Sequence, residues 1–251
     1  MDCAAELPHL HKAIEGNFMQ FQRVVLAESA QATGTAVVID VLRAFTSACY
    51  ALGAGAEEII LVSKVDQAFA LRHQFPGALL MGEVGGAPIP GFDFSNSPAH
   101  YKNQEVAGRR LIQRTSNGTQ GVIGASHADT ILAASFVCAG ATARYLQHVA
   151  PDIVTFVITA WHADSPSAHH GDEDAACADY IEALLTQDDP DPAPYLARVA
   201  ASPTGKLFLE NNRPEYPATD LAYCTQLDRF PFALPIKRHE NALLIMKPYP
   251  C

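Results

Sequence analysis

The chain lacks any run of about 20 consecutive apolar residues, the length a membrane-spanning helix needs, so no membrane span is expected. It is also short of positive charge. Lys and Arg number 17 against 27 Asp and Glu, a formal net charge of -10 at pH 7. Non-specific nucleic-acid binding needs a basic surface, and that class is set aside. A small anionic substrate is not, because a local guanidinium, a nest of backbone N–H groups or a bound cation overrides net charge. The six cysteines (Cys3, Cys49, Cys138, Cys177, Cys224 and Cys251) include no C-x-x-C pair. That spacing argues against a zinc site or a disulfide frame and for reduced thiols in the cytoplasm. The opening MDCAAELPHLHKAIEG has no basic start followed by an apolar stretch, so no secretory signal is expected.

What is present is an ordinary globular composition, 49% apolar over 251 residues, enough for a sizeable core. A single α/β domain over residues 1–251 is expected, with residues 1–23 as an N-terminal arm. Short β-branched runs alternate with helical patterns. Ala36–Ile39, Glu58–Val62, Ala78–Met81, Leu111–Thr115, Ile131–Phe136 and Ile153–Thr159 read as strands. Helices fit the stretches after Asp40, after Val65, after Ala139 and after Asp172, with shorter ones at 195–201 and 205–210. Leu234–Met246 reads as a strand or hairpin. The alternation predicts a layered α/β/α fold with a largely parallel or mixed sheet. The unit around Asp40 has a faint echo in 153–185, which raises an internal duplication. Ligands of such sheets bind beyond the carboxyl ends of the strands. That rule gathers Asp40, Glu83, the Ser116–Thr119 turn and the segment after Thr159 onto one rim.

Each group on this rim has a chemical and a bland reading. Asp40 with Arg43 joins a strand-end carboxylate to a guanidinium in the first helical turn, where an anion is favoured; the alternative is an N-cap and a surface ion pair. Glu83, Asp93, Asn96 and Ser97 lie at or after a strand end, in a loop rich in Gly and Pro. Oxygen ligands of this kind suit Mg²⁺, and Asx-turn chemistry is the alternative. Ser116, Asn117, Gly118 and Thr119 form a tight turn able to present successive N–H groups to an anion, or an ordinary helix entry. Asp172, Glu173 and Asp174 either complement a helix dipole or contribute to a metal site or general base. The nearby His162, His169 and His170 are taken as solvated loop residues.

Taken together and in order, VVIDVLRAFTSA, GEVGGAPIPGFDFSNSP, RTSNGT and GDEDAACADYI resemble the 2-phosphosulfolactate phosphatase family, with the likeness running from about Val24 to the C-terminus. The resemblance implies a soluble, Mg²⁺-using phosphohydrolase that releases 3-sulfolactate and phosphate, a step of the coenzyme M type. It carries over Asp40, Arg43, Glu83, Asp93, Asn96, Ser97, Asn117, Gly118, Thr119, Glu173 and Asp174. Within that set Asp40, Glu83, Glu173 and Asp174 are expected to hold the metal. Asp40, Asp93 and Asp174 are the expected catalytic acids, and Arg43, Asn96, Ser97 and the Ser116–Thr119 turn the expected substrate contacts. Two departures stand out: Val84 where the family usually has Arg, and Phe45 in the helix start. Another 2-phospho acid, such as phospholactate, is therefore the alternative substrate. The expected partner is a small anionic phospho-acid, and a homo-oligomer is plausible on general grounds.

Three other classes compete. A haloacid-dehalogenase-type phosphatase needs a D-x-D pair, and Asp40 is followed by Val41 and Leu42. An isochorismatase-like cysteine hydrolase would use Cys138, but the comparable strand carries Arg114 where a proton-shuttling Lys is needed. A non-enzymatic organic-anion binder would keep Arg43 and the Asn117 turn without needing several strand-end acids.

Overall fold

The computed structural model describes residues 19–103, 106–160, 171–210, 212–239 and 242–251. Its strands are β1 (Gln20–Val25), β2 (Thr35–Ile39), β3 (Glu58–Leu61), β4 (Leu79–Val84), β5 (Ala87–Pro88), β6 (Arg110–Arg114), β7 (Thr130–Ala134), β8 (Ile153–Ile158), β9 (Phe232–Arg238), β10 (Leu244–Met246) and β11 (Tyr249–Pro250). The α-helices are α1 (Ala44–Gly53), α2 (Val65–Gln74), α3 (Gly118–Gly124), α4 (Ala139–Val149), α5 (Asp172–Thr186), α6 (Ala193–Ala201), α7 (Pro203–Glu210) and α8 (Ala218–Cys224). The expected α/β fold is present. None of the described helices is long and apolar enough to cross a membrane.

The strands follow the order β1-β8-β2-β7-β9-β10-β3-β6-β4-β5, with β11 on β9. Two groups are internally parallel, β1-β8-β2-β7 and β3-β6-β4. Between them β7/β9, β9/β10 and β10/β3 are antiparallel. Those reversals leave the two groups running in opposite directions along the sheet. The hinge is β9, which pairs with β7 through Leu234–Ile236 and with β10 through Ile236–Arg238.

The core explains how one site is assembled from both groups. Its central cluster joins α1 (Phe45, Ala48, Cys49) to Val38 of β2, Ala133 of β7, Ile59 of β3, Met81 of β4 and Leu111 of β6. The sheet thus wraps α1, whose first turn begins where β2 ends. On the outer face of the first group, Val37, Ile39, Leu132 and Phe156 pack under α4, α5, α6 and α7. On the outer face of the second, Ile60, Leu80 and Ile112 pack under α2. The strand faces alternate, as period-2 geometry requires.

Residues 20–23, expected to belong to an arm, instead form the edge strand β1 in register with β8. Arg23 anchors it, pairing with Asp179 and Glu182 of α5 and lying over the Phe156 ring. The earlier part of the expected arm, and His162, His169 and His170, lie outside the described residues. Phe156 is fully buried and stacks on Phe21 with ring centroids 6.1 Å apart. Phe156→Ala should cost about 3–5 kcal/mol of stability, read as a lowered urea midpoint; a cost below about 1 kcal/mol would show that α5 and β1 close over the gap.

Candidate active site

Asp40 follows β2 directly and is buried. Its Oδ1 accepts the Ala44 N–H at 2.9 Å, and its backbone carbonyl accepts the Phe45 N–H at 3.2 Å. Gly118, the first residue of α3, packs against it. A Cβ at position 118 would stand 2.8 Å from Asp40 Oδ2 and 2.8 Å from the Ala44 Cβ, so only glycine allows this approach. Burial, together with the carboxylates of Glu83 and Glu173, pushes the Asp40 carboxyl up to about 7, against the opposing hydrogen bonds from Ala44 and Gly118.

The start of α5 supplies the next two acids. Asp174 accepts the Val41 N–H on Oδ1 at 2.8 Å, and the Ala160 N–H at 2.9 Å and Thr159 hydroxyl at 3.2 Å on Oδ2. It ties the end of β2 to the end of β8. Burial, with Asp40 and Glu173 close by, raises its carboxyl well above the ordinary range. Glu173 has no exposed surface, and neither carboxylate oxygen has a hydrogen-bond partner. Burial raises it too, with Asp172 adding to the rise, against its own N–H and the nearby hydroxyls of Thr204 and Ser202.

Glu83, at the end of β4, is held by backbone donors from two loops. Its Oε1 accepts the Ser116 N–H at 2.6 Å and its Oε2 the Gly86 N–H at 2.7 Å; the Ser116 hydroxyl adds a 3.1 Å contact to Oε2. Gly82 makes this approach possible. Its φ is +137°, and a Cβ there would strike the Arg114 carbonyl oxygen. Thr119 reciprocates with Thr115: each hydroxyl accepts the other's backbone N–H, at 2.9 and 3.0 Å. Asn117 is the residue before α3, with no side-chain cap bond.

Arg43 is buried at the head of α1. Its Nη1 donates to Asp220 Oδ2 at 2.6 Å, and its guanidinium lies over the Phe208 and Tyr216 rings at 5.1 and 5.6 Å. Ser97 Oγ donates to the other Asp220 oxygen at 2.7 Å. Asp220, on α8, has no exposed surface and is absent from the set read in the sequence. The Asn96 carbonyl accepts the Ser47 hydroxyl, while its buried side-chain oxygen has no partner. Asp93 is placed elsewhere: its carboxylate accepts the Leu80 N–H at 2.8 Å and pairs with Arg72 of α2 at 3.2 Å. The rim therefore unites Asp40, Glu83, Glu173, Asp174 and Gly118, sets Arg43 and Ser97 beside them, and pins Asp93 to β4. Cys138 is fully buried within the central cluster, its thiol directed at the Ser135 carbonyl, with no path for a substrate.

Among the described residues no three His, Cys, Asp or Glu side chains form a preformed metal cage. Mg²⁺ needs none, since it keeps several waters and takes one or two carboxylates plus phosphate oxygens. The orphaned oxygens of Glu173 and the crowding of carboxylates around Asp40 fit such a cation.

Buried acids at strand ends beside a fixed guanidinium are in keeping with phosphate-ester hydrolysis, and the chain is a phosphoric monoester hydrolase. A family model described as 2-phosphosulpholactate phosphatase matches residues 22–238. A Bacillus subtilis protein named probable 2-phosphosulfolactate phosphatase is 36% identical over 203 residues, covering 80% of this chain and 86% of that protein. Proteins of the same name from Carboxydothermus hydrogenoformans and Deinococcus radiodurans are 42% and 41% identical over 151 and 136 residues. These matches cover 60% and 54% of this chain, and 60% and 57% of those proteins. The chain belongs to the 2-phosphosulfolactate phosphatase family.

Two outcomes are expected. Asp220→Ala leaves the Arg43 guanidinium buried without its counter-ion and should cost about 3–5 kcal/mol, read by chemical denaturation; an unchanged midpoint would mean that solvent reaches Arg43. The acidic cluster sets a pH dependence. A carboxyl raised by folding binds its proton more tightly in the folded state, so stability falls as pH rises. For Asp40 the loss runs from about 4, the ordinary Asp value, to about 7. Glu173→Gln removes one of the repelling charges. It should raise the metal-free melting temperature by about 2–4 °C at pH 8 and change it little at pH 4. An equal shift at both pH values would count against charge repulsion.

Proposed function

We propose that the protein hydrolyses the phosphate ester of 2-phosphosulfolactate to 3-sulfolactate and phosphate, with Mg²⁺ at the carboxylate cluster, as in a coenzyme M-type pathway. The observation that carries this is the convergence of Asp40, Glu83, Glu173 and Asp174 beside Gly118. So many buried acids are tolerable together only where protons or a cation offset their repulsion. The names of the relatives supply the substrate.

In the reaction the water oxygen bonds to phosphorus and the bond to the 2-oxygen breaks. The proton lost by water passes to a carboxylate, and the leaving 2-oxygen takes a proton. Asp40 takes the proton-accepting role as a carboxylate: burial raises its carboxyl to about 7 in the metal-free protein, and a bound cation would keep it ionised. Asp174, with both oxygens held by backbone and hydroxyl donors, orients the end of β2 that carries Asp40. In the turn before α3 the N–H groups of Ser116, Gly118 and Thr119 are spent on Glu83, Asp40 and Thr115, which leaves Asn117 to meet the phosphate. Arg43, braced by Asp220, offers its guanidinium to the acid end of the substrate. Asp40 and Glu173 would hold the metal, with Glu83 and Asp174 adjoining. When bound, Mg²⁺ supplies neutralisation of the charge on the phosphate oxygens.

Val84, where the family usually has Arg, is 46% exposed, so its side chain adds apolar surface at the loop. Phosphate release should be measured from 2-phosphosulfolactate and 2-phospholactate, with Mg²⁺ and with EDTA. Release from the first that EDTA abolishes is expected, and Asp40→Asn should lower kcat/KM by about 10²–10⁴-fold. Preference for phospholactate would reassign the substrate. Activity of the Asn variant within a factor of a few of the parent would sink the role given to Asp40.

A further inference from the structure

The Arg43 guanidinium lines a cavity of about 180 Å³ whose wall also includes Gly86, Ser95, Ser97, His100 and Glu215. Neither His100 nor Glu215 belongs to the motifs singled out in the sequence. We propose that this cavity receives the second anion of the substrate, its sulfonate or carboxylate end, and that His100 is a specificity-determining residue there. The inference rests on the phosphatase reading only for the identity of that anion.

Three features carry it. First, the cavity is small. Pockets for drug-sized ligands span about 300–1,000 Å³, whereas this one suits the acid end of a three-carbon molecule. Second, its donors are held in place. Asp220 holds Arg43 at 2.6 Å, leaving the other guanidinium N–H groups for a ligand, and takes the Ser97 hydroxyl proton at 2.7 Å, so Ser97 shapes the wall without donating. The His100 ring leans on Phe94 with centroids 6.4 Å apart, and its Nδ1 lies 3.4 Å from Ser95 Oγ. In the tautomer in which Nδ1 accepts from Ser95, Nε2 carries the proton and is the donor. Third, Arg43 follows Asp40 by three residues, a backbone span of at most about 11 Å. The guanidinium thus stays close to the strand end that carries Asp40. The substrate's acid end gains nothing among the buried carboxylates, so the adjoining cavity with the guanidinium is where it is stabilised.

Glu215 gives the cavity a repulsive member as well. If the occupant is an anion, changes on the two sides should act in opposite directions. His100→Ala removes a donor, His100→Gln keeps one, and Glu215→Gln removes the opposing charge.

Calorimetric binding of 3-sulfolactate to the full chain tests this without requiring turnover. His100→Ala should weaken binding about tenfold, the loss of one hydrogen bond to a charged group. His100→Gln should stay within about threefold of the parent, and Glu215→Gln should bind more tightly. Inorganic phosphate, titrated with Mg²⁺ as a control, should bind all four proteins alike. Equal sulfolactate affinity for the parent and His100→Ala, or no binding to the parent at millimolar concentration, would overturn the proposal. If 2-phosphosulfolactate is not hydrolysed yet the His100-dependent binding is present, the reaction assigned above fails and the anion cavity stands.

Discussion

Like charges buried together set the terms for this molecule. At 4 Å two unit charges repel by about 1 kcal/mol in water and about 4 kcal/mol in the intermediate dielectric near a protein surface. Asp40, Glu173 and Asp174 are all removed from water; Glu173 raises the carboxyls of both Asp40 and Asp174, and Asp40 raises that of Asp174. The surrounding backbone is organised in response. N–H groups of Val41 and Ala160 point at Asp174, that of Ala44 at Asp40, and those of Gly86 and Ser116 at Glu83. The loops leaving β2, β4, β6 and β8 are thus shaped by carboxylates that need donors. Glu173 alone in this group makes no well-formed hydrogen bond, its own N–H and the hydroxyls of Thr204 and Ser202 offsetting its burial only in part, so it stands to gain most from a cation.

The sheet could not gather these acids if it were flat. Its two parallel groups run in opposite senses, which would send the carboxyl ends of β2 and β4 to opposite edges. Wrapping around α1 brings them together at the head of that helix, where Gln113 of β6 donates to the Ala44 carbonyl at 2.9 Å. Two glycines set how close the approach becomes. Gly82 lets β4 end against the Arg114 carbonyl, and Gly118 lets α3 start against Asp40. Neither position is in a conventional turn role; each is glycine because another part of the fold occupies the space a side chain would take.

Much of this was legible in the sequence, for reasons that differ by element. β2 and β8 are continuous apolar runs, and α5 carries a regular apolar face after an acidic start, so both the elements and Asp40, Glu173 and Asp174 at their ends could be read. β1 could not: QFQRVV is only partly buried at the sheet edge, and its polar residues hide the pattern. α8 is seven residues long, and its Asp220 owes its role to Arg43 and Ser97, 177 and 123 positions away. No local signal marks such a residue. Asp93 shows the converse. Its place in a motif with Asn96 and Ser97 grouped it with them, but the chain reverses there and turns its carboxylate toward Leu80 and Arg72.

The Arg43–Asp220 pair and the acidic cluster face opposite electrostatic problems within a few residues of each other. A buried ion pair contributes little net stability, because desolvation offsets the attraction. Here the pair also cancels most of the charge that Arg43 could offer an anion. What it keeps is direction: a guanidinium fixed between two aromatic rings and braced by a carboxylate presents its donors in one geometry. Attraction for a highly charged substrate must then come largely from the other end, where excess carboxylate draws in a cation. On this division the acidic cluster governs whether a phosphate ester is bound and cleaved, and the arginine end governs which acid it belongs to. A protein with a net charge of -10 can in this way accept an anionic substrate.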